Sequence, residues 1–251
     1  MNFKSLLLCV GLVGFTACKA PVSYSKIEGR QIAITDSLPS DQAIERFIKP
    51  YREHVNKSLD NVLSYAMDTY SKSDGYLNTA IGNFMADVMY EQSNPIFKKR
   101  SGETIDFVLL NHGGIRSIIS KGNITTRTAF EIMPFENSIV VAKLKGEQVK
   151  ELLDYVVAAK RAHPVSKIKI TMDADGELKN ATIQGKPIDY GKSYNVLTND
   201  YLLNGGDRMD FFKTRDTVYV LDYKIRNALI DYFTKTDTIN PRIDDRFIQL
   251  K

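Results

Sequence analysis

A chain of 251 residues, 43% hydrophobic and 25% charged, can bury one substantial core and lacks the composition of a disordered polymer. Its formal net charge of +4, from 34 basic and 30 acidic residues, is too weak and too dispersed for nucleic-acid binding. Both cysteines, Cys9 and Cys18, lie near the start, so the rest of the chain has no disulfide and no thiol nucleophile.

Residues 1–17 combine Lys4, an apolar run over 6–15 and the small pair Thr16-Ala17. That is the pattern of a signal peptide, too short for a spanning helix. Small residues leading into Cys18 resemble a bacterial lipobox, with Phe15 where that motif usually carries leucine. The resemblance implies cleavage before Cys18, acylation of its thiol, and a lipid anchor in the bacterial cell envelope, facing the periplasm or the surface. Residues 18–40 are rich in Pro, Ser and Gly without sustained periodicity and read as a tether, in which 31–34 could pair as a strand. Residues 41–251 then form one domain.

Within that domain a helix begins at a Ser40 or Asp41 cap, with Ile44, Phe47, Ile48, Tyr51 and Val55 on one face. Pro50 is expected to kink or split it. A strand at 61–68 and a helix over 79–89 follow, the latter stopped by Ser93-Asn94-Pro95. The apolar run 105–110 reads as a buried strand. Next come a short helix at 126–132, a strand at 138–144 and a helix at 146–160. A hairpin pairs 167–172 with 178–183 around Asp173-Ala174-Asp175-Gly176. A strand at 194–198 and a final helix over 222–233 complete the chain. Helices and strands mingle without strict alternation, which predicts an α+β domain with a mixed β-sheet flanked by helices.

Polar character appears abruptly after the central strand, as Asn111-His112-Gly113-Gly114-Ile115-Arg116. Glycines there let backbone N–H groups approach a ligand, while Asn111 and Arg116 can donate to it. The turn Met133-Pro134-Phe135-Glu136-Asn137 presents an aromatic ring from a loop. Catalytic strings are missing: His54, His112 and His163 are far apart, and no H-E-x-x-H, G-x-S-x-G or P-loop occurs. His112, inside the glycine loop, could touch a substrate, but a lone histidine makes no metal site. No catalytic residue is assigned, and the chain alone is not expected to catalyse hydrolysis.

The strings N-x-GGIR at 111–116, G-x-I-T at 122–125, PF-x-N at 134–137 and LKG-x-x-V at 144–149 occur in order. A second block, YNVLTNDYLLNGGD, runs from Tyr194 to Asp207. Together they resemble the C-terminal, substrate-binding domain of the 5'-nucleotidase family over about 44–235, which implies the same fold class. The resemblance places a base between the rings of Phe135 and Tyr201. It gives Asp207 to ribose hydroxyls, aimed by Gly205 and Gly206, Asn111 to the substrate, and Arg116 to the ribose and phosphates. Gly113, Gly114 and Asn137 fall within the matching strings. Stacking suits any base, and the extra hydroxyl of Tyr201 is expected to be incidental. One departure is that the family's phosphate arginines, upstream of the 79–89 helix, are absent from 71–77, where Lys72 could substitute. The resemblance therefore implies a nucleotide- or nucleoside-recognising specificity domain of a split 5'-nucleotidase, serving nucleotide hydrolysis and catabolism. No cofactor is expected on this chain; divalent metals would sit on a separate metallophosphoesterase chain. The alternatives are a lipoprotein that captures nucleosides or nucleotides for uptake without a catalytic partner, and a degenerate interaction module.

Overall fold

The computed structural model describes residues 26–35 and 37–251. The leader 1–17, Cys18 and the first part of the tether lie outside the described residues. The chain divides into two units between Ile48 and Lys49, within helix α1 (Gln42–Leu59). Before that boundary, residues 31–34 are exposed and do not take up the strand pairing open to them. The Asp41 carboxylate caps α1 by accepting from the N–H groups of Ala43 and Ile44 at 2.8 and 3.2 Å. Pro50 does not split α1: it lies inside one continuous helix with no buried residue, where a carbonyl without its helical partner can face water.

Residues 49–251 hold the core. Among the described residues the strands form three sheets. The largest comprises β2 (Phe107–Leu109), β4 (Ser138–Lys145), β5 (Val165–Ser166), β9 (Ser193–Asn199) and β10 (Thr217–Lys224), in the order β10–β4–β9–β2–β5. Only β2 and β9 run parallel within it; the other pairings are antiparallel. A three-stranded sheet joins β1 (Val62–Ala66), β3 (Gly122–Thr125) and β11 (Thr238–Ile239). A four-stranded sheet joins β6 (Ile168–Met172), β7 (Leu178–Ile183), β8 (Lys186–Pro187) and β12 (Phe247–Gln249). The expected hairpin of 167–172 with 178–183 is present as the antiparallel β6–β7 pair, beginning at Ile168.

The apolar run of β2 is explained by burial on both faces of the sheet. Val108 packs with helices α2 (Ala80–Ser101) and α6 (Ile225–Lys235), in a cluster with Ile81, Phe84, Val141, Leu197 and Leu229. Phe107 and Leu109 face the opposite cluster, with Val140, Val196 and Leu152, Leu153 and Val156 of α4 (Gly146–Ala159). This helix–sheet–helix layering is the α+β arrangement expected. Thr79 caps α2 through its hydroxyl, and Gly102 ends it in a left-handed conformation, φ 77°. The helix runs past the expected stop at Pro95, because Pro95 is exposed while Phe97, beyond it, is fully buried. The short helix expected at 126–132 is α3 (Thr126–Ile132), capped by the Thr125 hydroxyl. The final helix starts later than expected: residues 217–224 form β10, paired with β4, and Asp222 has φ 51°, which no helix accommodates.

Candidate functional site

The parallel strands β2 and β9 end side by side, and each continues directly into polar residues. Beyond β2 lie Asn111 and a 3₁₀ turn, His112–Gly114. Beyond β9, Asn199 caps the short helix α5 (Asp200–Leu203), its side chain accepting from Leu202 N–H at 2.8 Å. Strand β4 enters from the opposite direction, and its register, Ile139 opposite Asn199, brings the preceding turn to the same edge. Asn137 there donates to the Asp200 carboxylate at 2.9 Å, tying the Phe135 turn to the helix that carries Tyr201.

These three segments enclose a cavity of about 360 Å³ lined by Asn111, Gly113, Gly114, Arg116, Phe135, Asn137, Tyr201 and Asp207. Gly206, the remaining residue of the expected set, lies under the Tyr201 ring: a Cβ there would come within 2.5 Å of it. Phe135 and Tyr201 are 43% and 46% exposed, so both rings offer a face to a ligand. Arg116 stands 5.7 Å from the Phe135 ring centroid and donates to Gly113 O at 3.3 Å. At Gly114 a Cβ would sit 3.0 Å from the Asn111 side-chain oxygen and would press on the side chain that donates to Asp207.

Asp207 is the most connected group. Its carboxylate accepts from Asn111 Nδ2 at 2.9 Å and from the Tyr201 hydroxyl at 2.8 Å. The same hydroxyl accepts from the Asp207 N–H at 3.2 Å, so it is not incidental, as the sequence had suggested. The hydrogen bond to Asp207 also pushes the Tyr201 phenol pKa upward, keeping it a donor.

Several neighbours carried no sequence signal. Tyr155 of α4 donates to the Asp207 carbonyl at 2.7 Å. His163 is buried; its Nδ1 accepts from the His112 N–H at 3.4 Å, and burial depresses its pKa to about 4. The His112 ring turns to the Ala162 carbonyl, 3.2 Å away, and does not line the cavity. Behind the Phe135 turn, Arg226 of α6 donates to Met133 O at 3.3 Å, pairs with Glu136 and lies 4.0 Å over the Phe130 ring. Lys224 donates to Glu136 O at 2.7 Å. Lys72, considered as a substitute for phosphate arginines, donates to Ile115 O at 3.1 Å and does not line the cavity.

A dimetal phosphoesterase centre needs clustered oxygen and nitrogen donors. Among the described residues no group of three or more His, Cys, Asp or Glu side chains could hold a metal ion, so the residues present do not fit such a centre. Among them, too, no helix is long and apolar enough to cross a membrane.

Comparison with known proteins agrees with this architecture. The chain is 28% identical over 199 residues to protein UshA of Yersinia enterocolitica, covering 75% of this chain and 34% of UshA. It is 25% identical over 198 residues to cell wall protein Lmo0130 of Listeria monocytogenes, covering 64% of this chain and 25% of that one. It thus spans about a third or less of these relatives' lengths. The crystal structure of a 5'-nucleotidase precursor from Thermus thermophilus superposes with a TM-score of 0.70 at 23% identity, covering 84% of this chain and 44% of that one. The 5'-nucleotidase, C-terminal domain, family matches residues 58–214, and the chain belongs to that family.

Proposed function

We propose that this chain is the nucleotide- or nucleoside-recognising specificity domain of a split 5'-nucleotidase, acting with a separate dimetal phosphoesterase chain. The reading rests on one observation: two exposed aromatic faces and a hydrogen-bonded carboxylate share one cavity, with no metal-holding group among the described residues. Aromatic faces suit a base, and a carboxylate, which only accepts hydrogen bonds, suits a vicinal diol. The metals and the hydrolytic step belong to the partner. The test is reconstitution: neither chain alone should release phosphate from AMP at a useful rate, and mixing should restore it. Robust turnover that follows this chain through purification would overturn the assignment.

A second reading is favoured at the phosphate end: residues 71–77 carry no arginine, and Lys72 donates to Ile115 O and does not line the cavity. A lipoprotein that captures nucleosides for uptake would bind without any gain on mixing. Either role places the chain in the bacterial cell envelope, held by acyl chains on Cys18, in keeping with a relative named as a cell wall protein. Cys18→Ala should then release it from the membrane fraction; a variant that still sediments with membranes would count against the anchor.

A further inference from the structure

We propose that the hydroxyls of Tyr155 and Tyr201 brace Asp207 for a ribose diol, and thereby set selectivity for ribosides over sugars lacking that diol. The inference rests on the nucleoside reading above and names how its sugar is discriminated. Its first ground is the backbone. Asp207 and Arg208 are consecutive non-glycine residues with left-handed φ values of 52° and 62°, directly after Gly205 at 86° and Gly206. Non-glycine residues stay in that region only where their surroundings over-determine it, and such outliers gather at ligand clamps.

The surroundings here are specific. Tyr155, reaching from α4, donates to the Asp207 carbonyl at 2.7 Å, while its ring packs 5.9 Å from Phe211 and 5.8 Å from His163. Tyr201, reaching from α5, holds the same residue at two other points, its N–H at 3.2 Å and its carboxylate Oδ1 at 2.8 Å. Asn111 occupies Oδ2 at 2.9 Å. Each carboxylate oxygen has two lone pairs, so one acceptor site remains on each, side by side. Two adjacent acceptors held still match the two donors of a 2',3'-diol. Tyr155 does not line the cavity, so it acts through Asp207 and is a positioning residue. Tyr201 contributes twice, by its ring face to the cavity and by its hydroxyl to Asp207.

A binding ratio tests the brace. Calorimetric titration of the purified full chain with adenosine and with 2',3'-dideoxyadenosine gives a riboside preference, expected to be about tenfold or more in the wild type. Tyr155→Phe and Tyr201→Phe each keep a ring and remove one hydroxyl, and each should shrink that ratio by at least about threefold. A merely structural role would weaken both ligands together and leave the ratio unmoved. Thermal melts accompany the titrations. If Tyr155→Phe melts early, Tyr201→Phe decides the matter alone, since its ring is exposed. An unchanged ratio in cooperatively folded variants, or a wild type without riboside preference, overturns the brace while leaving nucleoside recognition standing. A wild type that binds neither nucleoside overturns the proposed function and the brace together.

Discussion

The two aromatic walls of the cavity are held in opposite ways. Phe135 sits on a turn anchored from behind: Arg226 and Lys224 grip the carbonyls of Met133 and Glu136, and the Ile225 N–H donates to Asn137 O at 3.1 Å. The ring itself has no hydrogen-bonding group, and Arg116 stands 5.7 Å from its centroid. Tyr201 is fixed through its own hydroxyl to the residue expected to meet the sugar. A change at Phe135 therefore probes stacking and the neighbouring Arg116, whereas a change at Tyr201 disturbs stacking and the hydrogen bonds to Asp207 together. The comparison also shows why side chains outside the cavity matter: one wall is backed by the buried Arg226, while Asp207, to which the other is tied, is held by Tyr155, whose ring lies 5.8 Å from the buried His163.

The largest expected effect concerns the buried His163. Burial, the dominant cause, and the nearby His112 and Arg161 depress the His163 pKa from 6.5 to about 4, while the Asp207 carboxylate opposes them. Between those values the unfolded chain binds a proton that the folded chain refuses. The contribution is thus complete above pH 6.5 and is lost progressively as pH falls towards 4. At 1.36 kcal/mol per unit, the loss attributable to His163 is about 3 kcal/mol. Denaturant unfolding at pH 7 and pH 4 should show that His163→Gln flattens the slope by about this amount. An unchanged slope would mean that His163 is not held neutral.

The next effect breaks the other wall. Arg226 is 6% exposed, and burial lowers its pKa without removing its charge. Arg226→Gln loses the Glu136 pair and the contact with the Phe130 ring, and should cost about 2 kcal/mol of stability. Adenosine binding should weaken in the same variant as the Phe135 turn loosens. Urea melts beside titrations would show this, and full affinity would mean that the turn needs no anchor. The smallest effect concerns Gly206→Ala. Its Cβ would push the Tyr201 ring aside against its hydrogen bonds to Asp207, so adenosine binding should fall about five- to tenfold while the exposed site leaves the core intact.

Legibility followed local signals. The central strand was plain because both of its faces are buried, and the cavity residues were plain because short strings carry them. Proline misled at Pro95, where the pull of the buried Phe97 outweighs one missing donor on an exposed face. Strand β10 was read partly as helix because its irregular register between Val220 and Lys224, with Asp222 left-handed, obscures the period-two pattern. Tyr155, His163 and Arg226 were invisible as site neighbours for another reason. Each comes from a helix or loop distant in sequence, and only the packing of α4 and α6 on the sheet brings them under the cavity. The role of the Tyr201 hydroxyl depended likewise on a left-handed turn that no spacing reveals.

The central claim is that Phe135 and Tyr201 take a base between them, and Phe135→Ala tests it most directly because that ring, unlike the ring of Tyr201, carries no hydroxyl tied to Asp207. Titration with adenosine, beside a thermal melt of the same sample, should show affinity reduced by about 1–3 kcal/mol, or about five- to 150-fold, in a protein that still unfolds cooperatively. Undiminished adenosine affinity in a well-folded Phe135→Ala variant would contradict the account.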